Sequence, residues 1–161
     1  MTASRRIAVG SDVRHPVADA VAMRLERAGH GVVDCGAVRG DDTPWPDVAE
    51  QVARLVAAGA VDTGVVCCWT GTGVSIAANK VPGVRAALCG DAETARGARR
   101  WNDANVLALS LRASSEAVAG EIVDAWLAEP GPDAAEVDTI ARVEDIERRY
   151  RDRAGAAGRV G

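Results

Sequence analysis

The segment Gly64-Val-Val-Cys-Cys-Trp-Thr-Gly-Thr-Gly-Val-Ser-Ile-Ala-Ala-Asn-Lys80 constrains the fold more than any other part of the chain. Its first five residues read as a buried strand, Trp69 to Gly73 as a glycine turn, and Thr72 to Asn79 as the helix that follows. That turn sets Cys68 at the mouth of the strand, beside the backbone N–H groups of a helix start. Such a place favours negative charge, whether a bound phosphate or an enediolate formed in a reaction. Because side chains alternate along a strand, Cys67 is expected on the opposite face, in the core.

The same succession recurs along the chain. Arg6 to Gly10, Val32 to Cys35, Val84 to Cys89 and Val106 to Ser110 are the other predicted strands. Helices are expected over Pro16 to Ala28 and Trp45 to Ala58, each with a proline at its start and a glycine after its end. Asp91 to Arg100 and Ser115 to Leu127 follow, the latter with Val118, Ile122, Val123 and Trp126 along one side. Pro130-Gly131-Pro132 breaks the pattern before a last helix over Ala134 to Arg151. Strands alternating with helices predict a Rossmann-like three-layer α/β/α sandwich on a five-stranded parallel sheet. We expect one domain over residues 1–152 and a frayed tail over 153–161. The last helix, set off by the prolines, is expected to pack on a partner subunit. Ligands of such sheets bind outside the carboxyl ends of the strands, which selects the loops Ser11 to His15, Trp69 to Gly73 and Gly90 to Glu93.

Composition narrows the function classes. A net charge of -4 disfavours nonspecific binding to nucleic acid or an anionic membrane, although Arg99-Arg100 is a local basic pair that either holds an anion or forms a solvated face. Four cysteines without a C-x-x-C pairing, and only His15 and His30 as imidazoles, predict no metal site. Free thiols suit a reducing cytoplasm, and no segment reads as a membrane span or leader. The chain has no Phe, one Tyr and four Trp, so its core must be aliphatic and the placing of the indoles becomes informative. Trp126 fits a buried helical stripe; His30 is expected in a solvated turn, and Cys35 and Cys89 in the core.

Ser75 to Lys80, Pro82-Gly-Val-Arg-Ala-Ala-Leu-Cys89, Asn102-Asp-Ala-Asn-Val-Leu107, Gly10-Ser-Asp12 and the Gly-Thr-Gly turn occur here in the order of the ribose-5-phosphate isomerase B family. That family includes the galactose-6-phosphate isomerase subunits, and the chain resembles it from about Arg6 to about Arg148. The resemblance implies an aldose–ketose isomerase of sugar phosphates that uses no metal or cofactor. A base takes a proton from the carbon beside the carbonyl, backbone amides hold the cis-enediolate, and the proton returns to the neighbouring carbon. Cys68 matches the base of many members, with Thr70 beside it as a second catalytic candidate. Asp12 and Asn102 match residues that hold sugar hydroxyls. Gly71, Thr72, Gly73 and Val74 match the anion-holding loop, and Arg112 matches an arginine that some members use for phosphate. The resemblance also implies a homodimer or dimer of dimers, with sites completed by the neighbouring subunit.

The chain departs from that family at several of the same places. Val13 stands where members usually carry a phosphate-binding His, and Trp101 where they carry a ring-opening His. Trp69 replaces a Gly, and Pro44-Trp45-Pro46 replaces Asp-Tyr-Pro. Pro132 and Glu136 fall where phosphate-gripping arginines are usual, while Arg14 and His15 lie just beyond the lost first histidine and are candidates to rebuild the anion site. Trp69 and Trp101 either plug the pocket or stack on a substrate. Two readings follow: an isomerase with altered substrate choice, suited to an open-chain or short substrate, or a non-catalytic paralogue that binds a small ligand or a partner subunit.

Overall fold

The computed structural model describes residues 3–157, with side chains through Arg153. Five strands, β1 (Arg6–Ser11), β2 (Gly31–Gly36), β3 (Thr63–Cys68), β4 (Ala86–Leu88) and β5 (Val106–Ser110), form one sheet in the order β2-β1-β3-β5-β4. All four pairings are parallel. Helices α1 (Pro16–Arg27), α2 (Trp45–Ala57), α3 (Thr72–Ala78), α4 (Ala92–Asn102) and α5 (Glu116–Ala128) make the crossovers, and α6 (Val137–Ala157) follows a single 3-10 turn at Ala134–Glu136. Among the described residues no helix is long and apolar enough to cross a membrane.

The sheet has two apolar faces. On one, Ile7, Val9, Val65, Cys67 and Leu107 pack against α1, α4 and α5. On the other, Ala8, Val66, Cys68 and Val106 pack against α2 and α3. Period-two alternation thus divides every strand between the layers, and β3 is buried at all six positions. Trp126 is 1% exposed. Its Nε1–H donates to Thr63 Oγ1 at 3.0 Å, and that hydroxyl donates to the Asn105 carbonyl at 2.9 Å.

Several expectations are adjusted at the edges. The fourth strand spans only Ala86–Leu88, because side chains take over the backbone before it: Asn105 Oδ1 accepts the Arg85 N–H and Asn79 Oδ1 the Ala86 N–H, each at 2.8 Å. The last helix starts at Val137, after the 3-10 turn, and runs to Ala157, through the first residues expected as a frayed tail; residues 158–161 lie outside those described. Arg99 does not lie on a solvated face: its guanidinium stacks 5.3 Å from the Trp126 ring and donates to the Ala104 carbonyl, and burial pulls its pKa down. Arg100 is spent on Asp133 and Glu129. His30 is half-buried, its Nδ1 accepting the Arg5 N–H at 3.1 Å. α6 lies mostly exposed, touching the α3–β4 segment where Glu147 accepts the Gly83 N–H.

Candidate active site

The strand order creates one crevice where loops part. β1 and β3 are neighbours, but the chain leaves β1 for α1 on one face of the sheet and leaves β3 for α3 on the other. Between them, at the carboxyl ends of the strands, lies the topological switch point at which such sheets bind ligands. Its two walls are residues 11–15 and 69–73, two of the three loops selected from sequence.

Cys68 ends β3 and faces the α2–α3 layer, 6% exposed, its carbonyl accepting the Leu111 N–H. The other three cysteines are also free, but burial pushes Cys67 and Cys89 up to about 12 and raises Cys35 as well. Across the crevice, Asp12 leaves the end of β1. Its Oδ1 is buried with no hydrogen-bond partner, and burial raises its pKa against backbone N–H groups at Asp12 and Val13 that lower it. A carboxylate oxygen held in this way is costly unless something donates to it. A ligand hydroxyl is the natural donor.

The loop between Cys68 and α3 needs its glycines. Gly71 has φ +74°, and a Cβ there would stand 2.9 Å from the Leu109 carbonyl carbon and oxygen. At Gly73 a Cβ would stand 3.0–3.2 Å from the Trp45 indole, which lies over the start of α3. Gly71 caps the helix with no side-chain acceptor, so the first-turn N–H groups of Thr72, Gly73 and Val74 have no intrahelical partners. Val74 contributes its amide alone, since its side chain is core. The Thr70 and Thr72 hydroxyls bond each other at 2.7 Å and are exposed.

Two further residues join the crevice. His15 caps α1 by accepting the Val17 N–H on Nδ1 at 3.2 Å, which places the remaining proton of the neutral ring on Nε2. Its ring meets the Trp69 indole edge-on, with centroids 6.5 Å apart and planes at 72°. Arg112 follows β5, its N–H donating to the Trp69 carbonyl at 3.0 Å; among the described residues its guanidinium makes no ion pair or hydrogen bond. Arg14 is less free, since its guanidinium pairs with Asp19 at 3.0 Å and reaches the Val38 carbonyl. Ser110, whose Oγ donates to the Trp69 carbonyl at 3.0 Å, is not among the residues singled out from sequence, whereas Trp45, one of the departures from the family named there, stands over Gly73 as a wall. A serine closing an apolar strand at its carboxyl end was the available signal.

Trp101 and Asn102 do not join this crevice within one chain. α4 runs back from the carboxyl edge, so its last residues lie beside the starts of β3 and β5, where Asn105 exchanges bonds with Arg85 and its carbonyl accepts the Gly64 N–H. The Trp101 ring folds onto Gly97, 2.6 Å from where a Cβ would stand, and Asn102 lines a cavity of about 970 Å³ with Lys80, Arg85, Ile146 and Tyr150. A second cavity of about 740 Å³, between β2 and α2, includes Asp34 and Cys35. Neither cavity contains Cys68 or Asp12. Among the described residues no group of three or more His, Cys, Asp or Glu side chains is placed to hold a metal ion.

Comparison with known proteins places the chain in a family. The Ribose/Galactose Isomerase family matches over residues 7–146. Ribose-5-phosphate isomerase B of Escherichia coli K12 is 40% identical over 148 residues, covering 87% of this chain and 97% of that protein. D-erythrulose-4-phosphate isomerase of Pectobacterium atrosepticum is 40% identical over 112 residues, 68% of this chain and 74% of the relative. The solved structure of ribose-5-phosphate isomerase B from Clostridium thermocellum superposes with a TM-score of 0.85 at 38% identity, covering 90% of this chain and 99% of that one. The chain belongs to the ribose/galactose isomerase family, whose named relatives here are isomerases of sugar phosphates.

Proposed function

We propose that this protein is an aldose–ketose isomerase for a short, acyclic sugar phosphate, with Cys68 as the base. The observation that carries the proposal is that neighbouring strands set Cys68, at the end of β3, and Asp12, just beyond β1 and with a buried Oδ1 that has no hydrogen-bond partner, at the same switch-point crevice. Cys68 Sγ takes the proton from the carbon beside the substrate carbonyl, and the released electron pair moves onto the carbonyl oxygen. The resulting cis-enediolate carries its charge next to the amides of Gly71 to Val74, where unpartnered N–H groups stabilise it. Return of the proton to the neighbouring carbon completes the aldose–ketose exchange. Thr70, its hydroxyl held by Thr72, serves the two substrate oxygens as their proton moves. Asp12 accepts from a sugar hydroxyl. Arg112 meets the phosphate, with Arg14 in a lesser role because Asp19 already neutralises it.

The short, acyclic substrate follows from the imidazoles. Opening a furanose requires a base for the anomeric hydroxyl. His15 Nδ1 is occupied by the Val17 N–H, and His30 sits at the other end of the sheet with its own Nδ1 occupied. A four-carbon ketose 4-phosphate has no free hydroxyl placed to close a five-membered ring and needs no such base. The relative named as an isomerase of D-erythrulose 4-phosphate supports that substrate class. Trp101 and Asn102 would reach this crevice only from a second copy of the chain, which favours a homodimer. Family membership over residues 7–146 supports the catalytic reading over the non-catalytic one.

The test is a direct comparison by NMR of tetrulose 4-phosphate and ribose 5-phosphate as substrates. We expect turnover of the four-carbon ketose with a kcat/KM at least tenfold above that for ribose 5-phosphate. A preference for the cyclic pentose phosphate would overturn the acyclic substrate.

A further inference from the structure

The contact between His15 and Trp69 joins the two walls of the crevice. His15 belongs to the loop after β1 and Trp69 to the loop after β3, and their rings meet edge to face where those loops part. The His15 ring and the Trp69 backbone are each held from behind. The His15 ring is tied by Nδ1 to the first turn of α1, and the Trp69 carbonyl accepts from both Ser110 Oγ and the Arg112 N–H. The indole is nevertheless 58% exposed, between Cys68 and Thr70 in sequence. An indole this exposed gains little by burial, and folding alone gives no reason to brace it. Cys68 faces the α2–α3 side, where Trp45 lies over Gly73. The bridge therefore stands on the α1 side, whose helix His15 caps.

We infer that Trp69, braced by His15, is the residue that sets substrate length: it ends the crevice on the α1 side and admits acyclic phosphorylated chains of four carbons in preference to five. His15 acts through Trp69 as a positioning residue. The inference rests on the reading of this crevice as the sugar-phosphate site, but it concerns binding and does not need Cys68 to be the base.

The test uses two probes that neither cyclise in this form nor turn over, 4-phosphoerythronate and 5-phosphoribonate, with calorimetric Kd values for the full-length protein. The wild type is expected to bind the four-carbon probe at least tenfold more tightly. Trp69→Ala should bring the two affinities within threefold, chiefly by tightening the five-carbon probe. His15→Asn keeps an N-cap oxygen while removing the ring, and should narrow the preference in the same direction. The double variant should be no less selective than Trp69→Ala alone, because the brace has nothing left to hold. Equal affinities in the wild type, absence of binding of either probe, or a tenfold preference surviving in Trp69→Ala would overturn the inference. Tight, selective probe binding by a protein that turns over no sugar phosphate would leave this inference standing and remove the proposed catalytic function instead.

Discussion

Cys67 and Cys68 are neighbours in the chain and face opposite layers of the sheet, Cys67 into the core under α1, α4 and α5, Cys68 toward α2 and α3 at the crevice. The pairing register sets Cys67 beside Ser11 on β1 and Cys68 beside Ser110 on β5. One residue of strand thereby separates an inert thiol from the candidate base. Alkylation of the folded protein at neutral pH, mapped by mass spectrometry, should mark Cys68 first. Cys67 and Cys89, pushed up to about 12, and Cys35, also raised, should react only on unfolding. Prior labelling of Cys67 in the folded protein would contradict this placement.

Asp12 should trade stability for binding. Its carboxyl is raised by burial, so the native state holds its proton more tightly than the unfolded chain does. Stability then falls as pH rises from the unfolded carboxylate range through the raised value, and the ionised form carries that cost at neutral pH. Asp12→Asn should melt higher than wild type at pH 7, with the gap closing as the pH is lowered through the acid range. The same variant should lose roughly 10- to 100-fold in kcat/KM, the weight of a charge-assisted hydrogen bond. Thermal melts across pH and steady-state kinetics on one preparation test both halves.

The loop before α3 is predicted to be intolerant at two glycines for different reasons. Gly71→Ala meets the Leu109 backbone as well as the Leu88 side chain, at a left-handed φ, and should cost about 1–3 kcal/mol that trimming Leu88 does not restore. Gly73→Ala meets the Trp45 ring, so its destabilisation should shrink in a Trp45→Ala background. Chemical denaturation of the four single and double variants, including Trp45→Ala alone, resolves the two cases.

Thr63→Val should destabilise by about 1–3 kcal/mol without touching the crevice, because it leaves the buried Trp126 N–H without an acceptor. Denaturant unfolding should record the loss, and the isomerase KM should stay at the wild-type value.

Much of this architecture is legible in the residues. Alternation along Gly64 to Cys68 separates Cys67 from Cys68, and proline and glycine punctuation marks α1 and α2. What local pattern does not carry is strand order. The crevice exists because β1 and β3 pair while their loops leave on opposite sides, a property of the whole sheet. Resemblance groups Trp101 and Asn102 with Cys68, whereas the end of α4 sets them beside the strand starts. The meeting of His15 with Trp69 and the stacking of Arg99 on Trp126 depend on contacts between distant elements, which spacing does not encode. Side-chain bonds from Asn79 and Asn105 likewise shorten β4 in a stretch whose composition reads as strand throughout.

The most direct test of the proposed chemistry is solvent deuterium incorporation into tetrulose 4-phosphate, followed by NMR for wild type and Cys68→Ala side by side. Exchange at the carbon beside the carbonyl is expected in the wild type and its loss in the variant, with the variant's fold and melting intact. Exchange that persists in Cys68→Ala would contradict Cys68 as the base.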